Sequence, residues 1–334
     1  MKVLITGANG FVGKNLTVHL QERCIEFVKF THDMPSSDLT NLLKGVNFVF
    51  HLAGVNRPKE ASEFSLGNTV LTKNLCEAIS ACHRAIPVLY TSSIQAEADD
   101  CYGISKLAAE DALKVLERDT VSPVYLYRLP NVFGKWSRPN YNSVVATFCH
   151  NIANDLPIQI NDPASLIHLV YIDDVIKDFL RLLQELPVGV VRPEVSPAYT
   201  ITVGELANQI NLFKARRVSM VTETVGAGLL RALYSTYLSF LRPDQFSYTV
   251  PVHTDPRGRF VEILKTKNSG QFSFFTAHPG ITRGGHYHHT KNEMFLVVQG
   301  KARFGFQNVV TGEIFEIFTD GEKPEMVETV PGWS

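Results

Sequence analysis

Short apolar strands alternate with helical patterns through the first half of the chain, which predicts an α/β protein built on a Rossmann-like, doubly wound parallel sheet. The first strand runs straight into three glycines spaced by three, Gly7, Gly10 and Gly13. From Ser247 onward the helical patterns stop. Short strand-like runs separated by turn residues then predict a small all-β domain.

Taken in order, Val3, Leu4 and Ile5 form an apolar run suited to a buried strand, and Leu16 and Leu20 share one face of the helix that follows. Ile25 to Phe30, Asn47 to Leu52, Ile86 to Tyr90 and Val124 to Arg128 read as further strands. Helical patterns lie around Val70, Leu71, Leu75, Ala78 and Ile79, and again from Leu107 to Leu116. The apolar and aromatic segment from Leu229 to Leu241 reads as a helix that ends the first domain and packs against the second. Arg259 to Lys265, Gln271 to Ala277, Glu293 to Val298, Lys301 to Gln307 and Glu313 to Phe318 are the strands of that second domain. The reading places the domains at 1–244 and 245–334.

Across 334 residues, 32 Lys and Arg balance 33 Asp and Glu, so charge gives no support for a nucleic-acid or anionic-membrane partner. The 5 cysteines are scattered, odd in number and never in a C-x-x-C pair. That pattern argues for a reducing compartment and against a disulfide framework or a thiolate zinc site. The first strand begins almost at Met1, with no signal peptide ahead of it, and no apolar run approaches membrane-spanning length. A cytoplasmic protein is expected, as is a homo-oligomer.

A strand, a glycine turn and a helix start make a place for a pyrophosphate, because the glycines let backbone N–H groups approach and the helix start presents free donors. Gly7, Asn9, Gly10, Phe11, Val12 and Gly13 are the residues of that turn. An acid at the end of the second strand would grip the ribose hydroxyls of NAD. Thr31 and His32 stand there instead, with Asp33 one place late, and this favours NADPH. Leu52, Ala53 and Gly54 form a small-residue turn after the third strand.

Tyr102 and Lys106 lie four residues apart, on one face of a helix. The fourth strand ends in Thr91, Ser92 and Ser93, which offer hydroxyls at the carboxyl edge of the sheet. Reduction of a carbonyl by hydride develops negative charge on oxygen, so a proton donor must sit beside it. A lysine cation near a tyrosine brings the phenol into useful range, and a serine hydroxyl orients the carbonyl. Either Ser92 or Ser93 suits that role.

In the second domain, His286 and His288 alternate on a strand and so point to one side, with Glu293 able to join them. Two imidazoles and a carboxylate suit zinc or another divalent transition metal. The run from Gly280 to Gly300 resembles the first motif of the cupins, jelly-roll barrels. Their second motif would fall beyond Ser334, so the cupin reads as C-terminally incomplete.

The glycine spacing together with Ser, Tyr and Lys resembles the extended branch of the short-chain dehydrogenase/reductases, the branch that modifies sugar nucleotides. In that branch Arg128, Asn131 and Gly134 match an R-x-x-N-x-x-G segment, and the stretch from Ile167 to Asp174 matches a signature opening a helix of the substrate lobe. Over essentially its whole length the chain resembles the bifunctional capsule and O-antigen enzymes of the CapF/WbjC type. The matching stretches are His51 to Pro58, Phe133 to Trp136, Pro139 to Val144, Tyr234 to Leu238 and His288 to Glu293.

The resemblance implies C3 epimerisation of a UDP-linked 4-keto-6-deoxy-N-acetylhexosamine by the cupin, then NADPH-dependent reduction at C4. The product would be UDP-2-acetamido-2,6-dideoxy-L-talose, on the way to UDP-N-acetyl-L-fucosamine. It further implies Arg128, Asn131, Ser143 and His168 near the substrate, and His286, His288 and Glu293 as metal ligands. Lys265, beside the Asp255–Gly258 turn, is a candidate for the epimerising base. A 4-epimerase with retained NAD and a non-catalytic NADPH-binding scaffold are the alternative readings.

Overall fold

A computed structural model describes residues 1–334. The strands of the first 202 residues are β1 (Lys2–Thr6), β2 (Glu26–Phe30), β3 (Phe48–His51), β4 (Val88–Ser93), β5 (Val124–Leu129), β6 (Asn131–Phe133), β7 (Leu166–Tyr171), β8 (Val190–Val191) and β9 (Ala198–Thr202). Six of them form one sheet in the order β2–β1–β3–β4–β5–β8, every pair parallel. Val3, Ile5, Phe48, Phe50, Leu89, Tyr125 and Tyr127 face one hydrophobic cluster; Leu4, Val49, Val88, Tyr90, Val124 and Leu126 face another. Both faces are therefore covered by helices, as a parallel sheet requires. The strand order reverses between β1 and β3, and the crevice outside their carboxyl ends is where such sheets bind ligands.

The helix Phe11–Glu22 follows the glycine turn, and the helix Cys101–Thr120 follows β4. The latter is capped by Asp100, whose carboxylate accepts from the Gly103 amide at 2.7 Å. The helical pattern around Val70 opens on a π-helical turn, Ser65–Val70, before it continues as the α-helix Leu71–Ser80.

A second, smaller sheet lies outside the strands that the sequence pattern predicts. In it β7 pairs parallel with β6 and antiparallel with β9. The helix Ile172–Glu185 starts directly after β7 and buries Ile172, Val175, Ile176, Phe179 and Leu183. The segment read as the helix that ends the first domain is the helix Gly228–Leu238. Its buried residues, Ala232, Leu233 and Tyr237, belong to the larger core cluster of the first unit, next to the helices Val144–Ala153 and Val203–Ser219.

Contacts divide the chain into two units, Met1–Val250 with Leu264–Phe272, and Pro251–Ile263 with Ser273–Ser334. In the later part the strands are β10 (Val221–Thr222), β11 (Val252–Asp255), β12 (Gly258–Thr266), β13 (Gln271–Phe275), β14 (Met294–Leu296), β15 (Lys301–Gln307), β16 (Ile314–Asp320) and β17 (Met326–Glu328). β11 pairs antiparallel with β12, β14 with β17 and β15 with β16. The molecule is thus a Rossmann-like parallel α/β core with a C-terminal β-rich region, as the sequence predicts. No helix is long and apolar enough to cross a membrane.

Candidate active site

The glycine turn is a cradle that side chains would fill. Gly7 has φ +71°, and a Cβ on it would lie 2.6 Å from the Ala53 amide nitrogen. A Cβ on Gly13 would overlap the Gly7 carbonyl oxygen. Gly10 caps the helix Phe11–Glu22, and no side-chain hydrogen bond closes that cap. Asn9 and Gly10 are exposed while Phe11 and Val12 are half-buried. Free N–H groups at a helix start, reached by backbone alone, are what a dinucleotide pyrophosphate needs. At the end of β2 the His32 side chain is fully open to solvent, and the Asp33 carboxyl is held below its usual range chiefly by a hydrogen bond from Thr31. A cleft of about 430 Å³ lies beside them, lined by His32, Met34, Val55, Leu66, Leu71 and Asn74 among others.

Lys106 is buried, and its Nζ donates to the Thr91 carbonyl at 2.9 Å, 4.7 Å from the Tyr90 ring centroid and 6.0 Å from that of Tyr102. Burial pushes its pKa down to about 8, with Glu110 pulling the other way. The Tyr102 phenol is raised above its ordinary value by burial, while a hydrogen bond from Ser93 works in the opposite direction and Asp100 raises it further. Ser93 therefore faces Tyr102. Ser92 does not, because its hydroxyl donates to Glu110 Oε1 at 2.6 Å beneath the sheet edge.

Two residues here gave no signal in the sequence reading. Asn68, in the π-helical turn, donates to Ser105 Oγ at 2.9 Å and to the Val55 carbonyl at 3.0 Å, and accepts from the Val55 amide at 2.9 Å. Its Oδ1 would lie 3.0 Å from a Cβ on Gly54, and Lys106 Nζ would lie 3.1 Å from the same point. The Leu52–Gly54 turn thus runs directly over the lysine. Glu110 is fully buried, four residues beyond Lys106 on the same helix face. Burial would raise its pKa, but hydrogen bonds from Arg128 and Ser92 and the Arg128 charge outweigh that and lower it.

The residues that resemblance assigned to substrate divide. Arg128 is committed to carboxylates: Nε and Nη2 reach Glu110 at 2.9 and 2.8 Å, and Nη1 pairs with Glu97. That fork is the ion-paired arrangement of Arg128, at the carboxyl end of β5. Asn131 and His168 are exposed and adjacent, with Asn131 Nδ2 donating to the His168 carbonyl at 3.1 Å. Ser143 caps the helix Val144–Ala153 by accepting from the Ala146 amide at 3.2 Å.

In the second unit the donor atoms of His286, His288 and Glu293 lie within 4.8 Å of one another. His288 Nε2 is shielded from solvent without a hydrogen-bond partner, and Lys291 donates to Glu293 at 2.6 Å. Lys265 lies toward the far end of β12 from the Gly258 turn, where it pairs with Val221, so it is not beside that turn.

Residues 3–192 match the NAD dependent epimerase/dehydratase family. The chain belongs to that family. Membership carries a nicotinamide cofactor, and the side-chain-free glycine turn is the place in this chain suited to its pyrophosphate. Residues 253–334 match the polysaccharide biosynthesis C-terminal domain. The chain is 62% identical over 335 residues to a Pseudomonas aeruginosa UDP-2-acetamido-2,6-beta-L-arabino-hexul-4-ose reductase, covering 100% of this chain and 90% of that one. A crystal structure of the capsular polysaccharide assembling protein CapF from Staphylococcus aureus superposes with a TM-score of 0.91 at 40% identity, over 100% of this chain and 91% of that one. An Escherichia coli dTDP-4-dehydro-6-deoxyglucose reductase is 27% identical over 228 residues, 54% of this chain and 72% of the relative.

Proposed function

We propose that the chain reduces C4 of a UDP-linked 4-keto-6-deoxy-N-acetylhexosamine with NADPH, after its own C-terminal domain has inverted C3. The product is UDP-2-acetamido-2,6-dideoxy-L-talose, a precursor of UDP-N-acetyl-L-fucosamine for capsule or O-antigen. The reductase occupies 1–244 and a cupin 245–334. The observation that carries the reading is the grouping of Ser93, Tyr102 and Lys106 at the carboxyl edge of the sheet, next to the glycine cradle. The 62% identical relative, itself named a hexulose 4-reductase, supports the substrate class.

NADPH, when bound, supplies the hydride that adds to C4. The chain supplies the proton. Tyr102, kept protonated by burial, gives its hydrogen to the oxygen as the C=O bond becomes C–O, leaving a phenolate that solvent reprotonates. Lys106 stabilises that phenolate by charge, and the Ser93 hydroxyl orients the carbonyl. Thr31 and His32 at the end of β2, in place of the acid that would hold the ribose hydroxyls of NAD, support NADPH, and Asp33 is hydrogen-bonded to Thr31.

For epimerisation, the 4-keto group acidifies the C3 hydrogen, and a base on one face with an acid on the other inverts the centre. His286, His288 and Glu293 would hold a divalent metal, with zinc the best match to two imidazoles and a carboxylate. His288 Nε2 makes no hydrogen bond and lies 3.9 Å from Glu293 Oε2, the spacing of two donors turned toward a shared site, which supports this. The metal would supply Lewis acidity toward an oxygen. NADPH consumption on addition of the UDP-4-keto sugar tests the reading; no consumption overturns it.

A further inference from the structure

His51, the last residue of β3, is fully buried and makes two short contacts. Its Nδ1 lies 2.7 Å from Thr6 Oγ1 and its Nε2 lies 2.8 Å from Thr72 Oγ1. The directions of these bonds follow from counting hydrogens. The Thr72 hydroxyl donates its one hydrogen to the Asn68 carbonyl at 2.6 Å, so toward His51 it can only accept. Nε2 therefore carries the ring proton. Nδ1 is then a lone pair, filled by the Thr6 hydroxyl, which itself accepts from the Ala53 amide at 3.1 Å. One continuous chain runs from Ala53 through Thr6, His51 and Thr72 to Asn68, with every hydrogen used once.

The two ends of this chain are the two halves of the site. Thr6 and Ala53 flank the close approach at Gly7, where the cofactor cradle begins. Asn68 belongs to the π-helical turn and reaches Ser105, next to Lys106. The His51 ring also stacks on Tyr90 at 5.1 Å between centroids, and Lys106 Nζ lies over the same tyrosine. We propose that His51 is a positioning residue. As the neutral Nε2–H tautomer, it ties the glycine cradle to the turn behind Lys106 and holds both in register. Burial and the Lys106 charge, which push its pKa down to about 3, are consistent with a ring that stays neutral. The inference rests on the reductase reading for its kinetic part alone.

Nitrogen-15 histidine spectra of the whole protein report the tautomer directly. A one-bond proton correlation at Nε2 alone is expected for His51, and a proton on Nδ1, or on both nitrogens, overturns the proposal. Two substitutions then separate the arms. His51→Asn keeps an acceptor near Nδ1, and His51→Gln keeps a donor near Nε2. For His51→Asn, NADPH affinity stays within about threefold while kcat falls about tenfold, the worth of one buried hydrogen bond. For His51→Gln, kcat stays within about threefold while the NADPH Kd rises about tenfold. Variants that lose thermal stability with kcat and Kd both unchanged, or with both changed alike, overturn it. The spectra and the NADPH titration need no sugar, so failure here differs from failure of the wild-type protein to oxidise NADPH, which would count against the reductase reading.

Discussion

Ser92 gives its hydroxyl hydrogen to Glu110 Oε1 at 2.6 Å, which removes it from the hydroxyls that face Tyr102. The neighbouring Ser93 keeps its contact with the phenol. The two serines should therefore separate cleanly on substitution. Ser93→Ala lowers kcat by about 10² with little change in melting temperature. Ser92→Ala leaves kcat within a few-fold and costs about 1–3 kcal/mol of stability, because Glu110 loses a buried partner. Steady-state kinetics and urea unfolding of both variants check this.

The pH dependence of reduction follows from Lys106. Burial brings its pKa down to about 8, so the cation is present below that pH and lost above it. The Tyr102 phenol is shifted upward and keeps its proton through the same range. For reduction, kcat/KM is expected to be level at lower pH and to fall tenfold per unit above about pH 8. A profile that stays level well beyond that point contradicts the assignment of Lys106.

Gly13 has no room for a side chain against the Gly7 carbonyl. Gly13→Ala must push the turn open, at a cost of about 1–3 kcal/mol, and the NADPH Kd should rise about 10- to 100-fold. Fluorescence titration with NADPH measures it, and an unchanged Kd contradicts the cradle.

Much of this site was legible in the sequence because its signals are local. The strand, the glycines and the helix start are contiguous, and Tyr102 and Lys106 share a helix face by spacing alone. What was not legible depends on distant partners. Which of Ser92 and Ser93 faces the phenol depends on Glu110, 18 residues beyond Ser92. The same carboxylate pairs with Arg128, a partnership between a helix and a neighbouring strand that no local spacing announces. Asn68 sits in a π-helical turn that carries no residue pattern of its own. The sheet of β6, β7 and β9 escaped notice because its short strands are separated by helices and mix parallel with antiparallel pairing.

The second unit makes a separate prediction. Protein purified without chelators should carry about one divalent metal per chain by elemental analysis, and His288→Ala should lose it. Wild-type protein that neither carries metal nor takes up added zinc contradicts the ligand set. Reduction by the first unit should be indifferent to that substitution when the sugar is supplied already inverted at C3.

The most direct test of the central claim compares wild-type protein with Tyr102→Phe in a single turnover of NADPH with the UDP-4-keto-6-deoxy sugar, followed by nicotinamide absorbance. The variant should bind NADPH normally yet transfer hydride about 10²- to 10⁴-fold more slowly, the usual worth of a positioned proton donor. Transfer at the wild-type rate would remove Tyr102 as the acid and contradict the account.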